Sequence, residues 1–215
     1  MCKWFYAVGV IVMIRNIVFD IGNVLAYFRW RDLFVDYGFT GEKFDRIAAA
    51  TILHPTMWPE FDRSLMSDEE IIASCVAREP EFEKDIRRIF ERTELLIEEY
   101  AYSYDWIKSL KEHGYRIYLL SNYGKTSFEA AVNHGRLSFL PLIDGRVISY
   151  EVKIVKPEQG IYEALLEKYD LVPEECVFLD DREENVEAAR QKGMYGIVVE
   201  GYEQAAGALD SLLTQ

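Results

Sequence analysis

The sequence predicts an α/β fold: a Rossmann-like parallel sheet sandwiched by helices, with an inserted α-helical region. Three observations carry this. Short apolar runs such as "IRNIVFD", "YRIYLLSN" and "CVFLDD" look like buried parallel strands. From residue 104 onward such runs alternate with amphipathic helical stretches, and strands and helices joined by right-handed crossovers form a parallel sheet covered on both faces. Between the first run and that region, residues 31 to 104 keep a helical period throughout.

Taken in order, "NIVFDIGNVLAYF" opens with a strand that Gly22 breaks, leaving Asp20 at its C-terminal end. In open α/β sheets ligands bind at that edge, although this stretch taken alone favours reading Asp20 as a turn or helix cap. In the helical region "SDEEIIASCVARE" opens on a capping box, Ser67 with Glu70. "YDWIKSLKEHG" is a helix ending at Gly114, and "YRIYLLSN" is a strand. "PEQGIYEALLEKY" begins a helix with Pro157 in its first turn. The strand "CVFLDD", the helix "REENVEAARQKG" closed by Gly193, the strand "MYGIVVE" and the helix "YEQAAGALDSLL" complete the chain. The expected division is a core of residues 13–24 and 104–215 and a helical cap of residues 25–103. Residues 1–12, in "MCKWFYAVGVIVMI", read as a non-native or peripheral extension with Met13 as a plausible start; an added edge strand or a lengthened first strand is the other reading. That apolar run is too short to span a membrane, and no small-residue cleavage pattern follows it.

Charge narrows the partners. Acidic residues outnumber basic ones by 37 to 24, a net charge of −13, which repels nucleic acid phosphates and anionic lipid surfaces. The sequence therefore predicts no nucleic-acid and no membrane partner, and it sets no oligomeric state. Cys2, Cys75 and Cys176 form no CxxC pair and leave one over, which points to a reducing, cytoplasmic setting. His54, His113 and His134 lack metal-ligand spacing and read as surface or packing residues.

The polar strand ends carry the chemistry. Ser121 and Asn122 end one strand, Asp180 and Asp181 another, and Lys156 stands just ahead of a helix. Singly these are turn residues, a helix cap and a solvated charge. Converging with Asp20 on one crevice, they are what phosphoryl transfer needs: a nucleophile, carboxylates for a divalent cation, and donors to phosphoryl oxygens. Adjacent carboxylates repel unless a cation or a proton intervenes, and a few hard oxygen ligands suit Mg²⁺.

Four motifs in this order, "FDIGNV", "LLSN", "VKPEQGIY" and "VFLDDREEN", resemble the haloacid dehalogenase superfamily with a helical cap inserted after the first strand. The resemblance implies a Mg²⁺-dependent phosphomonoesterase that acts on a small-molecule phosphate ester through an aspartyl-phosphate. Asp20 would be the nucleophile and a metal ligand, and Ser121, Asn122 and Lys156 would hold the phosphoryl group. Asp181 would ligate the metal, Asp180 would act through a metal-bound water, and Gly22 would lend backbone groups to metal and phosphate. The family's usual acid/base aspartate falls on Gly22, so a cap residue, water or nothing protonates the leaving group. The "FDIGNV" form resembles a glucose-1-phosphate phosphatase-like branch, which implies a sugar phosphate. In the cap stretch "HPTMWPEFDR", Trp58 and Arg63 either meet such a substrate or, respectively, pack within the cap and pair with a neighbouring acid. Two other readings remain: a haloacid dehalogenase, against which the Asp180–Asp181 pair counts, and a binding or regulatory protein that has lost turnover, motivated by Gly22.

Overall fold

Strand β1 (Asn16–Phe19) stands at the centre of the computed structural model, which describes residues 13–214. A two-stranded antiparallel ribbon, β2 (Ala26–Phe28) with β3 (Ile97–Glu99), marks where the chain leaves the sheet and returns. Between these strands lie α1 (Trp30–Asp36), α2 (Gly41–Ala50), α3 (Met57–Arg63), α4 (Asp68–Arg78) and α5 (Glu83–Glu91). After the ribbon, helix α6 (Ser103–Glu112) leads to β4 (Arg116–Ser121), α7 (Lys125–Asn133), β5 (Gly145–Ile148) and the short α8 (Ser149–Val152). The chain continues through α9 (Gln159–Lys168), β6 (Cys176–Asp180), α10 (Glu183–Gln191), β7 (Tyr195–Val198) and α11 (Tyr202–Leu213).

The sheet order is β5-β4-β1-β6-β7, and every pair is parallel. Asn16 lies opposite both Arg116 and Cys176, so β4 and β6 flank β1 in register and the polar residues that follow them leave by the same edge. Side chains alternate across the pleat. Ile17 and Phe19 join Ile107, Leu119 and Leu179 in one buried cluster, while Val18 joins Tyr118, Leu120, Tyr162 and Phe178 in a second on the opposite face. A buried side chain of this kind contributes roughly 1.5–3 kcal/mol, and all four residues of β1 are buried. A third cluster, built on Leu33, Phe34, Ile47, Ile71 and Ile86, gives the inserted helices a core of their own.

The capping box forms: Glu70 N–H donates to Ser67 Oγ at 3.3 Å, and Ser67 N–H donates back to Glu70 Oε2 at 2.8 Å. One boundary moves. Helix α9 starts at Gln159 with Glu158 as its extended N-cap, so Pro157 precedes the helix instead of lying in its first turn. The expectation for residues 1–12 falls outside the described residues. Among the described residues, no helix is long and apolar enough to cross a membrane.

Candidate active site

Asp20 follows β1 directly, and its N–H still donates to Leu179 O at 2.9 Å, so the sheet holds its backbone while its side chain leaves the edge. Lys156 reaches it from the loop before α9. Its Nζ lies 2.8 Å from Asp20 Oδ1 and 2.6 Å from Asp180 Oδ2, and the residue is only 3% exposed. Asn122 fixes that loop: its Oδ1 accepts from Lys156 N–H at 2.7 Å and its Nδ2 donates to Lys156 O at 3.1 Å. The Asn122 amide is thus engaged with the Lys156 backbone. Asp180 is clamped from its other side, where Oδ1 accepts from Arg182 N–H and Asn185 Nδ2, both at 2.9 Å. Asp181 Oδ2 accepts from Asn23 Nδ2 at 2.9 Å. Asn23 sits at φ 54°, a left-handed conformation that asparagine tolerates, and its own Oδ1 caps Phe28 N–H.

The electrostatics follow from burial. It is the largest influence on Asp20 and pushes its carboxyl up to about 6, against the pull of Lys156 and a hydrogen bond from Ser121, with the Asp180 charge adding to the rise. Burial also disfavours the Lys156 ammonium, but Asp180 and Asp20 together hold it above the ordinary lysine range. Asp181 is raised by burial as well, against the hydrogen bond from Asn23. Asp20, Asp180 and Asp181 each offer a carboxylate oxygen, and these atoms all lie within 4.8 Å of one another. Three carboxylates around one ammonium leave an excess of negative charge on hard oxygen donors, a set that fits a small divalent cation such as Mg²⁺.

Above them opens a cavity of about 270 Å³. Asp20, Gly22, Ser121, Asn122, Lys156 and Asp181 border it, so six of the seven residues singled out in the sequence meet there, and Asp180 lies behind Lys156. The far wall is apolar, formed by Phe28, Trp30, Ile52, Leu53, Trp58, Phe61, Leu96 and Ile97. Trp58 faces the cavity and also packs against Phe28, Phe61 and Phe90. Arg63 turns away and pairs with Glu158 of the core and Glu60 of its own helix.

Sequence reasoning missed several contributors. Asn23 and Asn185 orient Asp181 and Asp180, and the signal for Asn185 was its place in "DDREEN", within the first turn of the helix that follows Asp180. Ser127, in the first turn of α7, and Asn185 also border the cavity; Ser127 Oγ and Asn185 Oδ1 are buried with no hydrogen-bond partner among the described residues. A hydroxyl donor at a helix N-terminus suits a phosphoryl oxygen. Asp62, on α3, is a further carboxylate on the cavity wall, and no motif announced it.

A family model described as a haloacid dehalogenase-like hydrolase matches residues 14–193. A drimenol cyclase from Aspergillus calidoustus is 25% identical over 86% of this chain, which spans only 34% of that protein's length. A sesquiterpene phosphatase from Aspergillus oryzae is 26% identical, with 84% of this chain and 87% of that protein covered. A HAD family enzyme from Bacteroides thetaiotaomicron, solved with magnesium and inorganic phosphate, superposes with a TM-score of 0.67 at 22% identity, covering 87% of this chain and 94% of that one. At that identity the likeness speaks for the fold.

Proposed function

We propose that this chain, which belongs to the haloacid dehalogenase-like hydrolase family, is a Mg²⁺-dependent phosphomonoesterase working through an aspartyl-phosphate on Asp20. The observation that carries the reading is the convergence of Asp20, Lys156 and Asp181 with Ser121 at the floor of one cavity. Asp20 supplies the attacking carboxylate oxygen. Lys156 holds it and would offer positive charge to the phosphoryl group, and the Ser121 and Ser127 hydroxyls, which border the cavity, would donate to phosphoryl oxygens. Asp180 keeps Lys156 charged and in place. Asp20, Asp181 and the Asp180 side would hold Mg²⁺, which neutralises charge on the transferring group. The helices between β2 and β3 would act as a cap over the site. A dehalogenase needs no divalent cation, so the three-carboxylate cluster weighs against that alternative. The complete nucleophile, lysine and acid set weighs against a protein that has lost turnover. Cys75 and Cys176 lie as buried thiols in separate hydrophobic clusters, which suits a reducing cytoplasm.

The carbon group of the ester is a separate matter. The "FDIGNV" resemblance favours a sugar phosphate, but a sugar needs several polar partners, and the wall around Trp58 and Phe61 offers few. That wall favours an apolar or aromatic ester, and the sesquiterpene phosphatase relative agrees in kind. A panel of sugar, alkyl, prenyl and aryl phosphates, assayed with Mg²⁺ and with chelator, tests both layers. Trp58→Ala is expected to lower kcat/KM for apolar esters about tenfold relative to sugar phosphates. Unchanged ratios would make Trp58 a packing residue only. Asp181→Asn is expected to raise the Mg²⁺ concentration needed for half-maximal rate by at least about tenfold, because it removes a charged oxygen ligand. Full hydrolysis in chelator would remove the metal from the proposal.

A further inference from the structure

We propose that Asp62, which the inserted helices bring to the wall of this cavity, is the proton carrier of a site whose Gly22 has no acid/base side chain. The inference rests on the phosphomonoesterase reading above. Among the described residues that line the cavity, Asp62 is the carboxylate outside the metal cluster. It is 9% exposed and sits at the C-terminal end of α3.

The fold fastens that end of α3 to the core at Asp62, Arg63 and Ser64. Ser149 Oγ donates to Asp62 O at 2.7 Å. Arg63 pairs with Glu158, and its Nη1 donates to Lys153 O at 3.4 Å. Ser64, at φ 50°, receives Lys125 N–H on its Oγ at 2.9 Å and Lys153 Nζ on its O at 2.9 Å. Gly124 makes the close approach feasible, since a Cβ there would stand 2.8 Å from Phe61 O. Contacts this dense hold this short helix end against the core, with Asp62 on the cavity wall. The Asp20 and Lys156 charges and the Gly124 amide act on its carboxyl, and its own charge acts on Tyr123. Burial, then the Asp20 charge, pushes the Asp62 carboxyl up to about 8, against the Gly124 amide and Lys156.

The chemistry balances. Asp20 attacks phosphorus, the P–O bond to the ester oxygen breaks, and that oxygen takes the proton of Asp62 as it leaves. Water then attacks the aspartyl-phosphate and gives a proton to the Asp62 carboxylate, and the P–O bond to Asp20 breaks with its electron pair returning to the Asp20 carboxylate. Both residues end as they began. The space beside Gly22 is open, for the nearest atom to a Cβ there is Asp20 Oδ2 at 4.0 Å; the usual position is vacant by sequence, not by crowding.

The test compares two esters in the full-length protein with Mg²⁺, a simple alkyl phosphate and a dinitrophenyl phosphate whose leaving group needs no proton. For Asp62→Asn, kcat/KM on the alkyl ester is expected to fall about 10²- to 10⁴-fold, while that on the activated ester changes by less than about threefold. The activated ester should then show a burst followed by a slow steady state, because water attack has lost its base. An equal fall for both esters, or no fall for either, overturns the assignment. The unaltered protein gives a second reading that does not depend on the variant folding. Its kcat/KM should depend weakly on leaving-group acidity, and a steep dependence would overturn the role of Asp62. Inactivity of the unaltered protein on every ester would instead sink the phosphomonoesterase reading on which this rests.

Discussion

Asp20→Asn is expected to reduce turnover by about 10⁴-fold or more while leaving the fold as stable as before or more so. Asparagine has the shape of aspartate but not its nucleophilic oxygen, and no other carboxylate shares Asp20's place beside Lys156 and Ser121 at the cavity floor. The stability half of the expectation follows from burial. A carboxyl whose folded pKa, about 6, lies above its unfolded value near 4 keeps a proton that the unfolded chain has released. Between those values the unfolded state binds fewer protons, so the parent loses stability as pH rises through that window. Asparagine has no such window. Thermal unfolding in chelator at pH 5 and pH 7 should therefore show a smaller decline for the variant. Lys156 keeps Asp180 as its partner in that variant, so no ammonium is left alone. Near-normal turnover would remove Asp20 as the nucleophile.

How much of this was legible in the sequence differs by element. β1, β4 and β6 are continuous apolar runs that end on polar residues, so both the strands and the residues that follow them could be read directly. Register needed no special signal, because a central strand with parallel neighbours on both sides brings all three ends to one edge. β5 is a different case: "GRVI" is four residues long, begins with glycine and arginine, and is an edge strand, so it lacks the burial on both faces that makes a run stand out. Helix α7 is short, weakly amphipathic and introduced by Gly124, whose role is to let α3 approach. Contacts across long sequence separations were hidden altogether. The hold of Asn122 on Lys156 spans 34 residues, and the seat of Asp62 depends on Ser149, 87 residues away. Of the stretch "HPTMWPEFDR", the sequence reading weighed Trp58 and Arg63 and passed over the aspartate between them. Only the docking of α3 separates the roles: Arg63 faces the core acid Glu158 and Asp62 the cavity.

Lys156→Met is expected to destabilise the metal-free protein by about 3–5 kcal/mol, the range for removing one partner of a buried ion pair. Methionine fills a similar volume, so the loss is electrostatic and not a cavity effect. Without the ammonium, Asp180 Oδ2 loses its 2.6 Å donor inside a fully buried residue, and Asp20 loses the charge that holds its pKa down. The sign of the pH dependence follows. In the parent, the raised pKa of Lys156 keeps it charged through neutral pH, so its contribution is undiminished there and fades only as pH rises past the lysine range. In the variant the Asp20 carboxyl moves further above its unfolded value, so the window in which stability falls with rising pH widens upward. The deficit should therefore be smaller at pH 5 than at pH 8. Adding Asp180→Asn should return part of it, since the amide keeps an oxygen for Arg182 N–H and Asn185 Nδ2 and brings no charge to bury. Denaturant unfolding of the two single variants and the double variant at both pH values checks this. A deficit below about 1 kcal/mol that does not change with pH would mean that Lys156 behaves as a solvated surface pair, and the electrostatic account of the site would fall.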